Sequence, residues 1–140
     1  MTGSECGDDL LVSAVLGLGS PTKFDDPNWG IAPYATVAEA ALPPLTGEPF
    51  SSEDSSNVSL KRLSPYYQSN FKPTFLMHGD KDQTVPISQS EAMFARLNEN
   101  GAAARFVPLP GGGHSGEGAK DADLEAAYAE AVAWIRTYSH

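Results

Sequence analysis

Two short stretches carry side chains able to move a proton. His78-Gly79-Asp80-Lys81-Asp82 follows the apolar run Phe75-Leu76-Met77, and His114 follows Pro110-Gly111-Gly112-Gly113. A carboxylate at the end of a buried strand is costly unless something pairs with it. An imidazole reaching over from a neighbouring strand end would be such a partner: the acid would fix the ring tautomer and stabilise the imidazolium formed when the ring takes a proton. The three glycines would let the backbone aim His114 back across the sheet edge. Spacing alone leaves a plainer reading open, a glycine-rich surface turn that carries one histidine.

Such a pairing needs adjacent parallel strands, and the sequence supplies the elements for them. Residues 11–18 form an apolar run closed by Gly19-Ser20-Pro21, which predicts a strand buried on both faces. Residues 73–78 and 105–109 predict two more. Between them, Ser88-Gln89-Ser90-Glu91 fits a capping box, and Met93, Phe94 and Leu97 line one helix face before Gly101. Asp121 and Asp123 open a last helix, with Leu124, Tyr128, Ala131, Ile135 and Tyr138 as its apolar stripe and Trp134 beside it. Strand, helix, strand, helix with short links implies right-handed crossovers and an α/β fold with a parallel sheet. Both chemistry-bearing loops then lie at the carboxyl ends of strands, where open parallel sheets bind ligands. Residues 23–70 are different: prolines at 27, 33, 43, 44, 49 and 65 leave room only for short helices near 36–42 and 52–62. They read as a lid-like insertion within a single domain spanning 1–140, with Trp29 as a packing residue.

Composition narrows the partners. A length of 140 residues suits one core, and 41% hydrophobic with 19% charged residues is a globular balance. A net charge of −9 with nine basic residues argues against nucleic acid and against an anionic membrane surface, which need clustered cations. Cys6 is the only cysteine, so no intrachain disulfide or cysteine zinc cluster can form. The run at 10–18 is too short to cross a bilayer and follows Glu5, Asp8 and Asp9, which predicts a cytoplasmic protein without a targeting segment. His78, Asp80 and Asp82 are metal-ligand types, but no second histidine lies near them in sequence, and neither a metal nor another cofactor is expected. Residues 113–120 resemble a phosphate loop only loosely, since Ala119 displaces Lys120 and Asp121 stands where a hydroxyl is needed.

The segments HGDKDQTVP at 78–86, SQSEAMFARLNENGA at 88–102 and FVPLPGGGHSG at 106–116 resemble the last third of an α/β-hydrolase. They are most similar to small esterases, feruloyl-esterase-like proteins and prolyl-oligopeptidase-type catalytic domains. A weaker resemblance runs through Leu63-Ser64-Pro65-Tyr66-Tyr67 and residues 14–24. It implies a partial α/β-hydrolase fold of three layers, with Asp82 as the triad acid and His114 as the general base. Asp80 would be a structural loop residue and His78 a strand-end packing residue. The implied activity is hydrolysis of a small-molecule carboxylic ester through an acyl-enzyme. The sequence departs from that pattern in lacking a G-x-S-x-G elbow and an HGGG-type oxyanion segment. Ser4, Ser20 and Ser115 stand in no elbow context. The family order of Ser, acid, His places the nucleophile upstream of 11–18, so the chain is expected to be the carboxyl-terminal part of a longer hydrolase, completed by an upstream half. The alternative is an inactive interaction module that self-associates through the exposed edge of the 11–18 strand.

Overall fold

A computed structural model of the chain describes residues 12–50 and 58–138. Strands β1 (Val15–Leu18), β2 (Thr74–Gly79) and β3 (Ala104–Leu109) pair in parallel in the order β1-β2-β3. Helices α1 (Ala35–Thr46) and α2 (Val58–Leu63) lie between β1 and β2, α3 (Ser88–Glu99) connects β2 to β3, and α4 (Asp121–Tyr138) follows β3. In register, Leu16 lies opposite Phe75 and Phe75 opposite Arg105.

The middle strand is buried along its whole length, and strand alternation sends its side chains to two different layers. Phe75 and Met77 pack with Leu109, Ala127 and Ala131 under α4, whereas Leu76 packs with Met93 and Leu97 under α3. The result is helix, sheet, helix, as the α/β reading requires. The stripe of α4 is the expected one except at Tyr128. Leu124, Ala131, Ile135 and Tyr138 face inward or sit half-buried with Trp134 beside them, while Tyr128 is 41% exposed and Ala127 is buried in its stead. Small Ala127 and Ala131 let the helix lie close to the sheet, and Trp134 meets Phe75 edge-on at 6.3 Å.

Two other expectations need correction. The strand at 11–18 is shorter, beginning at Val15, with Leu11 outside the described residues. It is not buried on both faces: Val15, Leu16 and Leu18 are 41%, 38% and 42% exposed, because among the described residues β1 has a strand neighbour on one side only. The capping box at 88–91 does not form either. Ile87 is the N-cap, and Ser88 and Gln89 turn their side chains to residues 22–28 instead. The other end of α3 is as read: the amide of Gly101 donates to Asn98 O at 3.0 Å and that of Ala102 to Leu97 O at 3.0 Å, a Schellman closure.

The proline-rich stretch 23–70 packs into the fold. Its helix α1 runs past Pro43 and Pro44 to Thr46, farther than the prolines suggest, while residues 51–57 of the second expected helix lie outside the described residues. Trp29, Ala38, Leu42 and Leu60 form a core cluster with Val85 from the loop after β2. Trp29 is therefore a packing residue, as expected. Buried Gln89 clasps this segment to α3. Its side-chain oxygen accepts from the amides of Thr22 (2.8 Å) and Lys23 (2.6 Å), and its amide nitrogen donates to Lys23 O (2.9 Å) and to Asp26 Oδ2 (3.1 Å). Within the segment, Ser64 joins its two ends, accepting from the amide of Phe24 at 2.8 Å. Among the described residues no helix is long and apolar enough to cross a membrane. Replacing Gln89→Ala would leave two buried amides without acceptors, at a cost of about 2–4 kcal/mol. Urea unfolding should show that loss as a lowered midpoint, and a midpoint equal to that of the unaltered chain would refute the clasp.

Candidate active site

The acid loop begins where β2 ends. Asp82 folds back through an Asx-type turn in which Oδ1 accepts from the amides of Thr84 (2.7 Å) and Val85 (2.9 Å). The Tyr34 hydroxyl donates to the backbone oxygen of Asp82 at 3.0 Å, tying the loop to the head of α1. Asp82 is 3% exposed.

The second loop, after β3, is fastened directly to the first. Lys81 N donates to Gly112 O at 2.9 Å, and Gly111 N donates to Asp80 Oδ1 at 2.8 Å, so Asp80 is the structural loop residue expected of it. The approach is close enough that a Cβ on Gly79 would lie 2.1 Å from Gly112 O, which only glycine avoids. Of the three loop glycines, Gly111 alone takes a positive φ, at 75°. The segment that presents His114 is held by Glu117, whose carboxylate accepts from the amides of His114 (3.2 Å) and Ser115 (2.8 Å). Bonds from its own backbone amide, then from Ser115 and His114, hold that carboxyl below the usual glutamate range. These amides are the donors a phosphate would need, and a carboxylate already occupies them.

The two loops bring the expected pair together. His114 Nδ1 lies 2.8 Å from Asp82 Oδ2, with the carboxylate side chain wholly buried and the imidazole 40% exposed. Facing a carboxylate, Nδ1 carries the proton and Nε2 presents its lone pair, which among the described residues meets no hydrogen-bonding side chain. Burial alone would raise the pKa of Asp82, but the Val85 amide, His114 and the Thr84 amide outweigh it and hold the carboxyl below the usual aspartate range. The end of β1 touches the same place. A Cβ on Gly19, whose φ is +52°, would lie 3.0 Å from His114 O and 3.3 Å from Asp82 Oδ2. All three strand ends thus meet at the pair, beside a cavity of about 230 Å³ lined by Leu18, His78, His114, Ser115 and Tyr128.

His78 is buried at the end of β2, as a packing residue would be. Its Nε2 lies 3.1 Å from the same Asp82 oxygen that His114 uses. Sequence reasoning missed Glu117 and Tyr34, which reach the site only through loop closure and long-range packing. The available signals were slight: a glutamate three residues after His114, and Ser90 on the helix face that looks toward β2. Ser20 Oγ donates to Leu18 O at 3.4 Å, within its own strand end, and Ser4 lies outside the described residues. Among the described residues, no group of three His, Cys, Asp or Glu side chains is arranged to hold a metal ion.

Comparison with known proteins places the family and the fold. Residues 34–140 match the prolyl oligopeptidase family. The esterase LipQ of Mycobacterium tuberculosis is 31% identical over 134 residues, covering 82% of this chain and 32% of that protein. A probable dipeptidyl-peptidase 5 of Aspergillus niger is 30% identical over 67 residues, covering 48% of this chain and 9% of that protein. Among solved structures, a truncated carbohydrate esterase from gut microbiota superposes with a TM-score of 0.64 at 24% identity, over 89% of this chain and 43% of the other. A thermophilic esterase of Thermogutta terrifontis superposes with a TM-score of 0.59 at 18% identity, over 89% and 42%. These likenesses give the α/β-hydrolase fold. The chain spans about a third of the Mycobacterium protein and less than half of each solved structure.

The lowered pKa of Asp82 has a consequence for stability. A carboxyl with a lower value folded than unfolded stabilises the fold above the unfolded value, about pH 4. That contribution disappears as pH falls through the folded value. Asp82→Asn should therefore flatten the fall in melting temperature below about pH 4, and an acid limb as steep as that of the unaltered chain would contradict the assignment.

Proposed function

The chain belongs to the prolyl oligopeptidase family, within the α/β-hydrolase superfamily, and from that premise we propose that it supplies the acid and base of a carboxylic ester hydrolase. Asp82 is the acid and His114 the base. The observation that carries this reading is the 2.8 Å bond between a buried carboxylate and a half-exposed imidazole at the ends of adjacent parallel strands. The lone pair on His114 Nε2 takes the proton of a serine hydroxyl as its oxygen attacks the ester carbonyl. The same proton then goes to the departing alkoxide. Water repeats the cycle on the acyl-enzyme, and Asp82 stays ionised throughout, holding the tautomer and stabilising the imidazolium. The serine and the oxyanion donors come from residues outside this sequence, since no G-x-S-x-G occurs within it. The names of the Mycobacterium and gut-microbiota relatives favour an ester over a peptide as substrate.

A short-chain aryl ester tests the assignment on the chain alone. Without a nucleophile, turnover should be slow and burst-free, and what remains should disappear in His114→Ala, since a positioned base alone contributes about 10²–10⁴-fold. Turnover unaffected by that substitution would count against His114 as the base. Covalent labelling by a fluorophosphonate would place a nucleophile inside the chain.

A second reading concerns the outer edge of β1, where Val15, Leu16 and Leu18 stand exposed. Such an edge favours pairing with a strand of another segment, either a complementing upstream half or a second copy of this chain. Light scattering on the chain alone should then find concentration-dependent dimers that Leu16→Lys abolishes. A stable monomer at high concentration would rule out the second copy.

A further inference from the structure

We infer that His78, braced by Ser90, is a positioning residue for the Asp82–His114 pair: a second imidazole that orients the acid and shares its charge. The inference rests on the assignment of Asp82 and His114 as acid and base, and adds a residue that the family motif leaves to packing. His78 is 1% exposed at the end of β2, and both of its ring nitrogens are engaged. Nε2 lies 3.0 Å from Val85 O and 3.1 Å from Asp82 Oδ2. Two acceptors on one nitrogen require a proton there. Nδ1 then offers a lone pair to the Ser90 hydroxyl, 2.7 Å away on a wholly buried face of α3.

The acid is thereby held from every side. Oδ1 accepts two amides, from Thr84 and Val85, Oδ2 accepts from His114, and the Nε2–H of His78, whose hydrogen bond goes to Val85 O, lies 3.1 Å from that same Oδ2. With Oδ1 fixed by the turn, the His78 ring, anchored on Val85 O and Ser90, abuts Oδ2 and keeps the carboxylate aimed at His114. It also draws off part of the negative charge, which weakens the pull of Oδ2 on the His114 proton. A packing role alone would be filled by an apolar side chain, without the cost of burying two polar nitrogens. The other titratable groups near Asp82 are Glu117 from the loop after β3 and Tyr34 at the head of α1, both electrostatically coupled to it.

The test is nuclear magnetic resonance of the whole chain with labelled aspartate and histidine. Two signals are followed: the Asp82 carboxyl carbon against pH, and the proton on His114 Nδ1. In His78→Phe, which keeps a ring but loses the donor, the Asp82 midpoint should rise by about one pH unit. The His114 Nδ1 proton should move downfield as the acid becomes a stronger acceptor. His78→Gln, which retains a donor at the same reach, should restore both signals toward those of the unaltered chain. Ser90→Ala should shift both in the direction of His78→Phe but by less. Loss of melting temperature with both signals unmoved, in His78→Phe or in Ser90→Ala should His78→Phe not fold, would overturn the inference and leave His78 a packing residue. A His114 Nδ1 proton that does not respond to Asp82→Asn would instead strike at the acid–base pair itself.

Discussion

A charged carboxylate with almost no access to water is the constraint around which this fold is arranged. Asp82 could not remain ionised at 3% exposure without a full set of donors, because the cost of desolvating a carboxylate exceeds what a single partner returns. Three donors surround it, two backbone amides of its own turn and the His114 imidazole, and the His78 ring nitrogen stands 3.1 Å from the same oxygen as His114. Each is directional, so the set fixes the orientation of the acid as well as its charge. Three strand ends and α3 must converge for that set to exist, which makes the edge of the sheet the most over-determined part of the molecule.

The convergence depends on places where side chains are missing. Gly79 lets the turn after β2 press against the backbone of Gly112, and Gly19 leaves room for the His114 ring beside the end of β1. These contacts hold a partly exposed imidazole at a fixed angle without burying it. The arrangement suits a base, which must keep one nitrogen anchored and the other open to a reacting hydroxyl. Glu117 closes the loop from its other end by taking amides that would otherwise compete for an anion.

Helix α3 links this edge to the rest of the fold. Gln89 and Ser90 are neighbours in its first turn, yet they serve opposite directions. Gln89 holds the start of the proline-rich segment, and Ser90 meets His78 beneath the acid. Val85 likewise belongs both to the turn that binds Asp82 and to the core cluster of the insertion. The segment at 23–70 is thus packed against the loop that carries the acid, and a disturbance in one reaches the other through one turn of helix.

The local pattern of the sequence was enough to locate the second half of the chain: β2 and β3 from short apolar runs, α3 from its periodic face and its terminal Gly101, and the two loops by their polar and glycine-rich residues. These are properties set by near neighbours, and near neighbours are what a sequence displays. That a carboxylate of the first loop could meet His114 was legible too, because parallel strands in sequential order place their following loops side by side; the choice of Asp82 over Asp80 came from the family resemblance. What only the tertiary structure decided involved choices between equally regular local options. On α4 the inward place read for Tyr128 went to Ala127, whose small volume, like that of Ala131, lets the helix lie against Phe75. Ser88 and Gln89 gave up a local cap for partners more than sixty residues away. His78 reads as a packing residue by position, and only the closed layers set its two ring nitrogens against Ser90 and Val85 beside the acid. Periodicity reports which residues turn inward, but a hydrogen bond depends on distance and angle, and those exist only once the layers have closed.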